Sequence, residues 1–257
     1  NGDLEAFMKI SGATDDVERA KMKDKPFLSL MGVLLWASIT HPECSYAVNF
    51  LCQFMSDPSV EAWDAALNVL SYLNTARALG VNFDGDSANV VAFSDSSWNQ
   101  SPRPYGGHVI FFAGAIVSCC ARKLKIAPQS SAEAENAVYS ICCKDLIFIC
   151  NILGDDGMQL KIPKPIKIFC DNEAAVKTIK NIGATARNKH YERWIHYGRE
   201  QYLNKFSLPL WISTKLNVAD IFTKALDSTT FYKFRAALLN ISYEHLPMEL
   251  SDKIHVA

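Results

Sequence analysis

The sequence predicts an α/β chain in two parts: a small helical segment, then a mixed β-sheet with helices able to cover both of its faces. Two observations carry this. Up to about Phe83 the apolar residues recur at helical spacing. From Gly80 onward, short β-like runs alternate with helical stretches and are punctuated by Gly and Pro. At 257 residues the chain is long enough to bury a sizeable core, as one large domain or two small ones.

The elements follow in order. After a loose polar start, Asp15-Asp16-Val17-Glu18 puts acids where a helix N-terminus favours negative charge. Phe27 to Ser38 is an apolar stretch of helical length. His41-Pro42-Glu43 breaks the chain and places a proline in the first turn of a second helix over Tyr46–Met55. Ser59 caps a third helix, in which Trp63, Ala66, Leu67, Leu70 and Leu73 fall on one face. Three short-linked helices make a small bundle. The stretch Asp84–Ala88 marks the boundary, giving a helical part over 1–83, a sheet-containing part over 84–240 and a tail over 241–257 without an assigned role. In the second part, strands are expected at Val90–Ser94, His108–Phe112, Ala115–Ser118, Ile166–Cys170 and Leu208–Ser213. Helices are expected at about Ala132–Leu153, Glu173–Lys180 and Tyr191–Asn204, with one more around Asp220.

Composition bounds the function. A net charge of −1 argues against a generally sticky nucleic-acid coat protein, so polyanion binding has to come from a local patch. The eight cysteines fit no zinc spacing and read as reduced, mostly buried thiols, which suits a cytoplasmic or nuclear setting. No signal peptide or membrane-spanning stretch is visible, so no membrane partner is expected.

Four carboxylates stand out. Asp95 closes the apolar run from Asn89 to Ser94, and Asp171 closes Ile166–Cys170. Glu133 opens the long helical pattern, and Asp220 precedes Ile221-Phe222-Thr223-Lys224. Acids at strand ends and helix entrances can converge on one cleft, where they suit two Mg²⁺ ions, with Mn²⁺ as a substitute. Taken singly, a strand-end cap or turn acid is the commoner reading of Asp95 and Asp171.

The motifs around these acids carry a family resemblance. Gln129-Ser130-Ser131-Ala132-Glu133-Ala134-Glu135 resembles the serine–glutamate motif of the ribonuclease H domain in Ty1/copia-type LTR retrotransposons. Phe93-Ser94-Asp95-Ser96-Ser97-Trp98 resembles its first strand, and Cys170-Asp171-Asn172-Glu173-Ala174-Ala175 its Asp-Asn-x-x-Ala motif. Arg187-Asn188-Lys189-His190 resembles its basic segment, and Asn217 to Leu226 its terminal signature. Met31–Trp36, His41–Val48 and Trp63–Tyr72 resemble the connecting segment that follows the polymerase. The resemblance runs from about Val17 to Leu239. It implies a ribonuclease H-like mixed sheet flanked by helices and preceded by a connection or thumb-like segment. It also implies hydrolysis of RNA in an RNA–DNA hybrid by two Mg²⁺ ions held by Asp95, Glu133, Asp171 and Asp220. In that scheme Asp95 bridges the ions and Asp220 is the more mobile ligand. Glu135 is expected on a different helix face, as a structural or surface residue.

Hybrid binding needs positive charge beside the acids. Arg187, Lys189, His190 and Arg193, with Lys177, Lys180, His196 and Arg199, offer a basic surface for phosphates, and Arg122, Lys123 and Lys125 a second strip. Ser96, Ser131 and Asn172 are small polar groups near the acids with reach to 2′-hydroxyls, and turn or cap residues on the bland reading. The chain departs from the family pattern around Asp95, at Ser96-Ser97 and at Asn99-Gln100, and in the segment Pro102 to His108. Asn136 replaces an aromatic and Tyr191 an aliphatic. No polymerase Asp-Asp motif is visible, which leaves a separate polymerase segment as a partner, in a virus-like-particle context. Two function classes follow: a hybrid-specific endoribonuclease, and a domesticated or degenerate relative that keeps the fold as a binding scaffold. A related two-metal DNA-cleaving nuclease is a weaker third.

Overall fold

The computed structural model describes residues 2–83, 88–98, 103–154, 157–181, 192–242 and 246–255. Most of the expected boundary (84–87), the loop 99–102 and the basic segment with Arg187, Lys189 and His190 lie outside the described residues.

The helical part holds α1 (Gly2–Met8), α2 (Asp16–Met22), α3 (Phe27–Ala37), α4 (Ser45–Leu51) and α5 (Val60–Ala76). Asp15 and Ser59 cap α2 and α5 by accepting from the backbone N–H of Glu18 and Ala62, as their positions in sequence predict. Two expectations are corrected. The loose polar start is helical in α1, because Phe7 gains a partner in Phe50, with ring centroids 4.9 Å apart. The single helix expected over Tyr46–Met55 ends at Leu51 and tightens into a 3₁₀ turn, Cys52–Phe54.

The second part is a five-stranded sheet: β1 (Val90–Ser96), β2 (Tyr105–Phe112), β3 (Ala115–Lys123), β4 (Ile166–Cys170) and β5 (Ser207–Trp211). The order is β3-β2-β1-β4-β5. Strands β3, β2 and β1 run antiparallel to their neighbours, whereas β1, β4 and β5 are parallel. The two hairpin strands extend further than expected, because Gly106, Gly107, Cys120 and Arg122, outside the apolar runs, keep the ladder going. This is the mixed, helix-flanked sheet that the resemblance implies.

Strand alternation divides the core between two faces. Val90, Ala92, Ile110, Ile166 and Ile168 pack against α6 (Ser131–Leu153), with Tyr139, Cys142, Cys143 and Leu146 facing them. Helix α6, 23 residues long, is largely apolar because it is a core helix. Helices α7 (Glu173–Lys180) and α8 (Glu192–Leu203) lie beside it. On the other face Val91, Phe93, Val109, Phe111 and Phe169 pack against a 3₁₀ turn, Val218–Phe222, and against α9 (Ser228–Leu239) and α10 (Met248–His255). The tail therefore has a structural job: Leu250 and Ile254 of α10 are fully buried in this second core layer.

The helical part and the sheet share a core. Tyr105 of β2 is buried among the helices, edge-on to Tyr46 at 5.1 Å, and its hydroxyl accepts a hydrogen bond of 2.6 Å from Gln53 Nε2. All eight cysteines are free thiols, and five of them are buried.

Candidate metal centre

The site forms where the parallel pair β1 and β4 ends. Ser94 pairs with Cys170, so Asp95 and Asp171 leave adjacent strands side by side, at the carboxyl edge of the sheet. Asp95 points to the same face as Phe93, toward the Val218–Phe222 turn, and that turn delivers Asp220. Asn217 pins the turn to β1 by donating from Nδ2 to the Ser94 carbonyl at 3.0 Å, while its own Oδ1 accepts from Ala219 N–H. Thr223 closes the arrangement with a short hydrogen bond from its hydroxyl to Asp95 Oδ2. The turn sits this close because β2 carries Gly107 opposite Asp95. A Cβ there would lie 2.6 Å from Phe222 Cβ.

The glutamate of the site comes from α6, on the opposite face, and it is Glu135. Its Oε1 accepts from both Ser96 N–H (2.9 Å) and the Ser96 hydroxyl (3.0 Å), and its Oε2 faces Cys170 Sγ at 3.6 Å. Glu133 does something else. Ser130 is the N-cap of α6, with its hydroxyl accepting from Glu133 N–H at 3.3 Å, and Glu133 Oε2 reaches back to accept from Gln129 N–H at 2.5 Å. That is a capping box displaced by one residue. The expectation that Glu133 joins the cluster and Glu135 faces away is therefore corrected. The spacing Ser130-x-x-Glu133 is itself a cap signature, and Glu135 lies in phase with Val138, Tyr139, Cys142 and Leu146, the stripe that α6 turns to the sheet.

Two sets of donor atoms lie within 4.8 Å of one another: Asp95, Asp171 and Asp220, and Glu135, Cys170 and Asp171. Asp171 belongs to both. Its Oδ2 accepts from the Thr214 hydroxyl at 2.7 Å, and its carbonyl accepts from the Trp211 indole N–H at 3.2 Å. The Cys170 thiol is pushed far up by burial and then by the Glu135 charge, so it stays protonated and holds Glu135 as a donor. Burial raises Asp95, with Asp171 adding to the effect and Lys224 opposing it. Burial likewise raises Glu135 well above the carboxylate range, reinforced by Asp95 and Asp171. Asp220 is pushed up to about 8 by burial and then by Asp95. Its Oδ2 meets Lys224 Nζ at 2.9 Å, one helical turn on, and its Oδ1 is buried without a partner. Burial lowers Lys224, but Asp95 and Asp220 outweigh it and hold the ammonium charged. Hard oxygen donors, converging negative charge and an unsatisfied buried carboxylate oxygen are what a divalent cation requires, and the acids at this site fit one.

No protein-family model matches the chain. It is 31% identical over 212 residues to the Retrovirus-related Pol polyprotein from transposon RE2 of Arabidopsis thaliana, a match covering 81% of this chain and 14% of the relative. It is 29% identical over 216 residues to that from transposon RE1 of the same plant, covering 82% of the chain and 15% of the relative. To that from transposon TNT 1-94 of Nicotiana tabacum it is 26% identical over 234 residues, covering 90% and 17%. The chain is a relative of Ty1/copia-type retrotransposon Pol polyproteins. It spans about a seventh of the length of these Pol polyproteins. Among solved structures, RNase H1 from the halophilic archaeon Halobacterium salinarum NRC-1 matches at 17% identity and a TM-score of 0.40, covering 52% of this chain and 94% of that one. LC11-RNase H1 in complex with RNA/DNA hybrid matches at 14% and 0.40, covering 52% and 93%.

In this Pol relative the expected substrate-side residues fall into separate places. Ser96 holds Glu135, and Ser131 and Asn172 hold each other at the site's rim, Asn172 Nδ2 donating to Ser131 Oγ at 3.2 Å. Asn172 also caps α7. Arg193 and His196 lie exposed on α8. Arg199 turns inward to donate to the Thr178 carbonyl at 2.9 Å, and Lys177 pairs with Glu173 at 2.7 Å, so these two are engaged within the protein.

Proposed function

We propose that this chain is the ribonuclease H portion of a retrotransposon Pol polyprotein, an endonuclease that hydrolyses RNA in an RNA–DNA hybrid with two Mg²⁺ ions. The observation that carries the reading is the convergence of Asp95, Glu135, Asp171 and Asp220 at the end of the β1–β4 pair, from two strands, a helix and a turn. When bound, paired divalent ions activate a water and stabilise the leaving oxygen of a phosphodiester. The residues supply the frame. Asp171, which belongs to both donor sets, would take the shared role expected of Asp95, while Thr223 and Thr214 fix one oxygen each of Asp95 and Asp171 and Ser96 fixes Glu135. Ser131 and Asn172 lie at the rim for sugar contacts, and Arg193, with Arg187, Lys189 and His190, supplies phosphate contacts that position a hybrid without reading its sequence. A separate polymerase segment would provide DNA synthesis.

A scaffold has no use for three carboxyl groups held out of water at one point, whereas ion binding makes that burial productive. Asp95→Asn is expected to lower Mg²⁺-dependent cleavage of labelled RNA in a hybrid by more than about 100-fold with hybrid binding retained. Cleavage at the parent rate by this variant removes the assignment. Absence of cleavage by the parent chain at any Mg²⁺ or Mn²⁺ concentration favours the scaffold.

A further inference from the structure

The two donor sets are chemically unequal. One, at Glu135 and Asp171, has a neutral thiol beside it. The other, at Asp95, Asp171 and Asp220, already contains a cation: Lys224 Nζ lies 2.9 Å from Asp220 Oδ2 and its charge acts on Asp95 and Asp171. Only Asp220 Oδ1 is left buried without a partner. We propose that Lys224 is a tethered cation that holds the Asp95–Asp171–Asp220 position until a divalent ion displaces it, and that it thereby sets the metal affinity of that position. The inference rests on the two-ion reading above and concerns the order in which charge enters the site.

The fold gives the ammonium somewhere to go. Lys224 also lines a cavity of about 600 Å³ between the helical part and the stretch from Ile221 to Phe231, walled by α1, α4 and α5 and lined by Glu43, Glu61 and Asp64 among others. A lysine stem is long and flexible enough to carry its charge from Asp220 into this acidic, otherwise apolar space. An ion entering the Asp220 position therefore exchanges a single positive charge for a double one, and the affinity of that position is reduced by the free energy of moving Lys224. The position at Glu135 carries no such handicap.

A purely structural role for Lys224, bracing the turn, predicts an effect of opposite sign. If Lys224 only braces Asp220, its removal loosens the ligand and weakens metal binding. If it competes, its removal tightens binding. The test is calorimetric titration of Mn²⁺ into the whole chain without nucleic acid, comparing the parent with Lys224→Met and Lys224→Arg. Lys224→Met is expected to bind Mn²⁺ at the weaker position about tenfold more tightly, and Lys224→Arg to stay within about twofold of the parent. Unchanged or weaker binding by folded Lys224→Met overturns the proposal. A second measurement on the parent alone guards against a variant that does not fold. The rate of Lys224 acetylation by an N-hydroxysuccinimide ester, read by mass spectrometry, is expected to rise about fivefold or more in saturating Mn²⁺ as the amine leaves Asp220. An unchanged or lower rate overturns the proposal. If the parent binds no Mn²⁺ at all, the two-ion reading fails. If it binds Mn²⁺ and cuts hybrid while Lys224 shows neither effect, the competition alone is wrong.

Discussion

At the scale of single residues, Asp95, Glu135 and Asp220 are 3%, 3% and 4% exposed, so the ion-free chain holds three carboxyl groups where ionisation is opposed by burial. Their folded-state proton affinities are raised, Asp220's to about 8. The folded chain thus keeps protons that the unfolded chain has released, and stability falls as pH rises from the ordinary carboxylate value of 3.8 toward about 8. In chelator the melting temperature should drop across this window, and Mg²⁺ should flatten the drop by replacing the protons. Asp220→Asn should flatten it without metal, by a few degrees for each kcal/mol of order 1 that the acid contributes. A melting curve series with a pH-independent Tm in chelator would contradict this. The two glutamates of α6 separate in the same experiment set. Glu135→Gln is expected to lose more than about 100-fold in hybrid cleavage. Glu133→Gln should stay within about threefold of the parent and lose about 1 kcal/mol of stability, the size of a helix cap.

Among elements, the 3₁₀ turn Val218–Phe222 is the piece on which the site depends, and its seat is Gly107. A methyl group there meets Phe222 Cβ at 2.6 Å, Thr223 Cγ2 at 2.9 Å and the Phe222 carbonyl carbon at 3.2 Å, and backbone cannot step aside cheaply. Gly107→Ala should therefore cost about 1–3 kcal/mol and reduce metal affinity by about tenfold, measured by denaturation and by metal titration. Gly32 is the contrast. It lies exposed within α3 with nothing within 4 Å of an added Cβ, so Gly32→Ala should stabilise the chain by about 0.5–1 kcal/mol and leave metal affinity alone. The strands that carry Asp95 and Asp171 were legible from alternating apolar runs, and α6 from its length and its Ser130 cap. Ser130-x-x-Glu133 encodes the cap of α6, and nothing in the motif itself marks Glu135 as the residue that reaches Ser96. The helix expected around Asp220 is a 3₁₀ turn, since nothing local to Val218–Phe222 encodes Gly107, which lies on another strand. Helix α10 is hidden for a similar reason: Leu250 and Ile254 are buried in the core layer that holds Phe93 and Phe169, which lie far from them in sequence.

For the whole molecule, the helical part and the sheet are joined through buried Tyr105 and several side-chain hydrogen bonds. Tyr105 enters the helical core from β2, and Lys123 Nζ donates to Gln53 Oε1 at 2.9 Å. Arg235 of α9 donates to the Tyr72 hydroxyl at 3.2 Å, which in turn donates to Glu43 Oε1 at 3.0 Å. Asn82 and Asn240 exchange side-chain-to-carbonyl hydrogen bonds at 3.1 Å, tying the end of the helical part to the end of α9. These contacts span the division at 83 that the change in hydrophobic pattern marks. Tyr105→Ala should cost about 3–5 kcal/mol and lower the unfolding midpoint of both parts together. Circular dichroism and tryptophan fluorescence should trace one coincident transition, and two separated transitions would show that the parts are independent.

The hydrogen bond from Thr223 to Asp95 spans 128 residues of chain. A ribosome that has made β1, β2, β3, α6 and β4 has already produced Asp95, Glu135 and Asp171, but not the residue that delivers the fourth acid or the one that fastens Asp95. The acid cluster thus stays open during synthesis until residues 217–223 have followed β5, and its completion is the event that closes the sheet's second face.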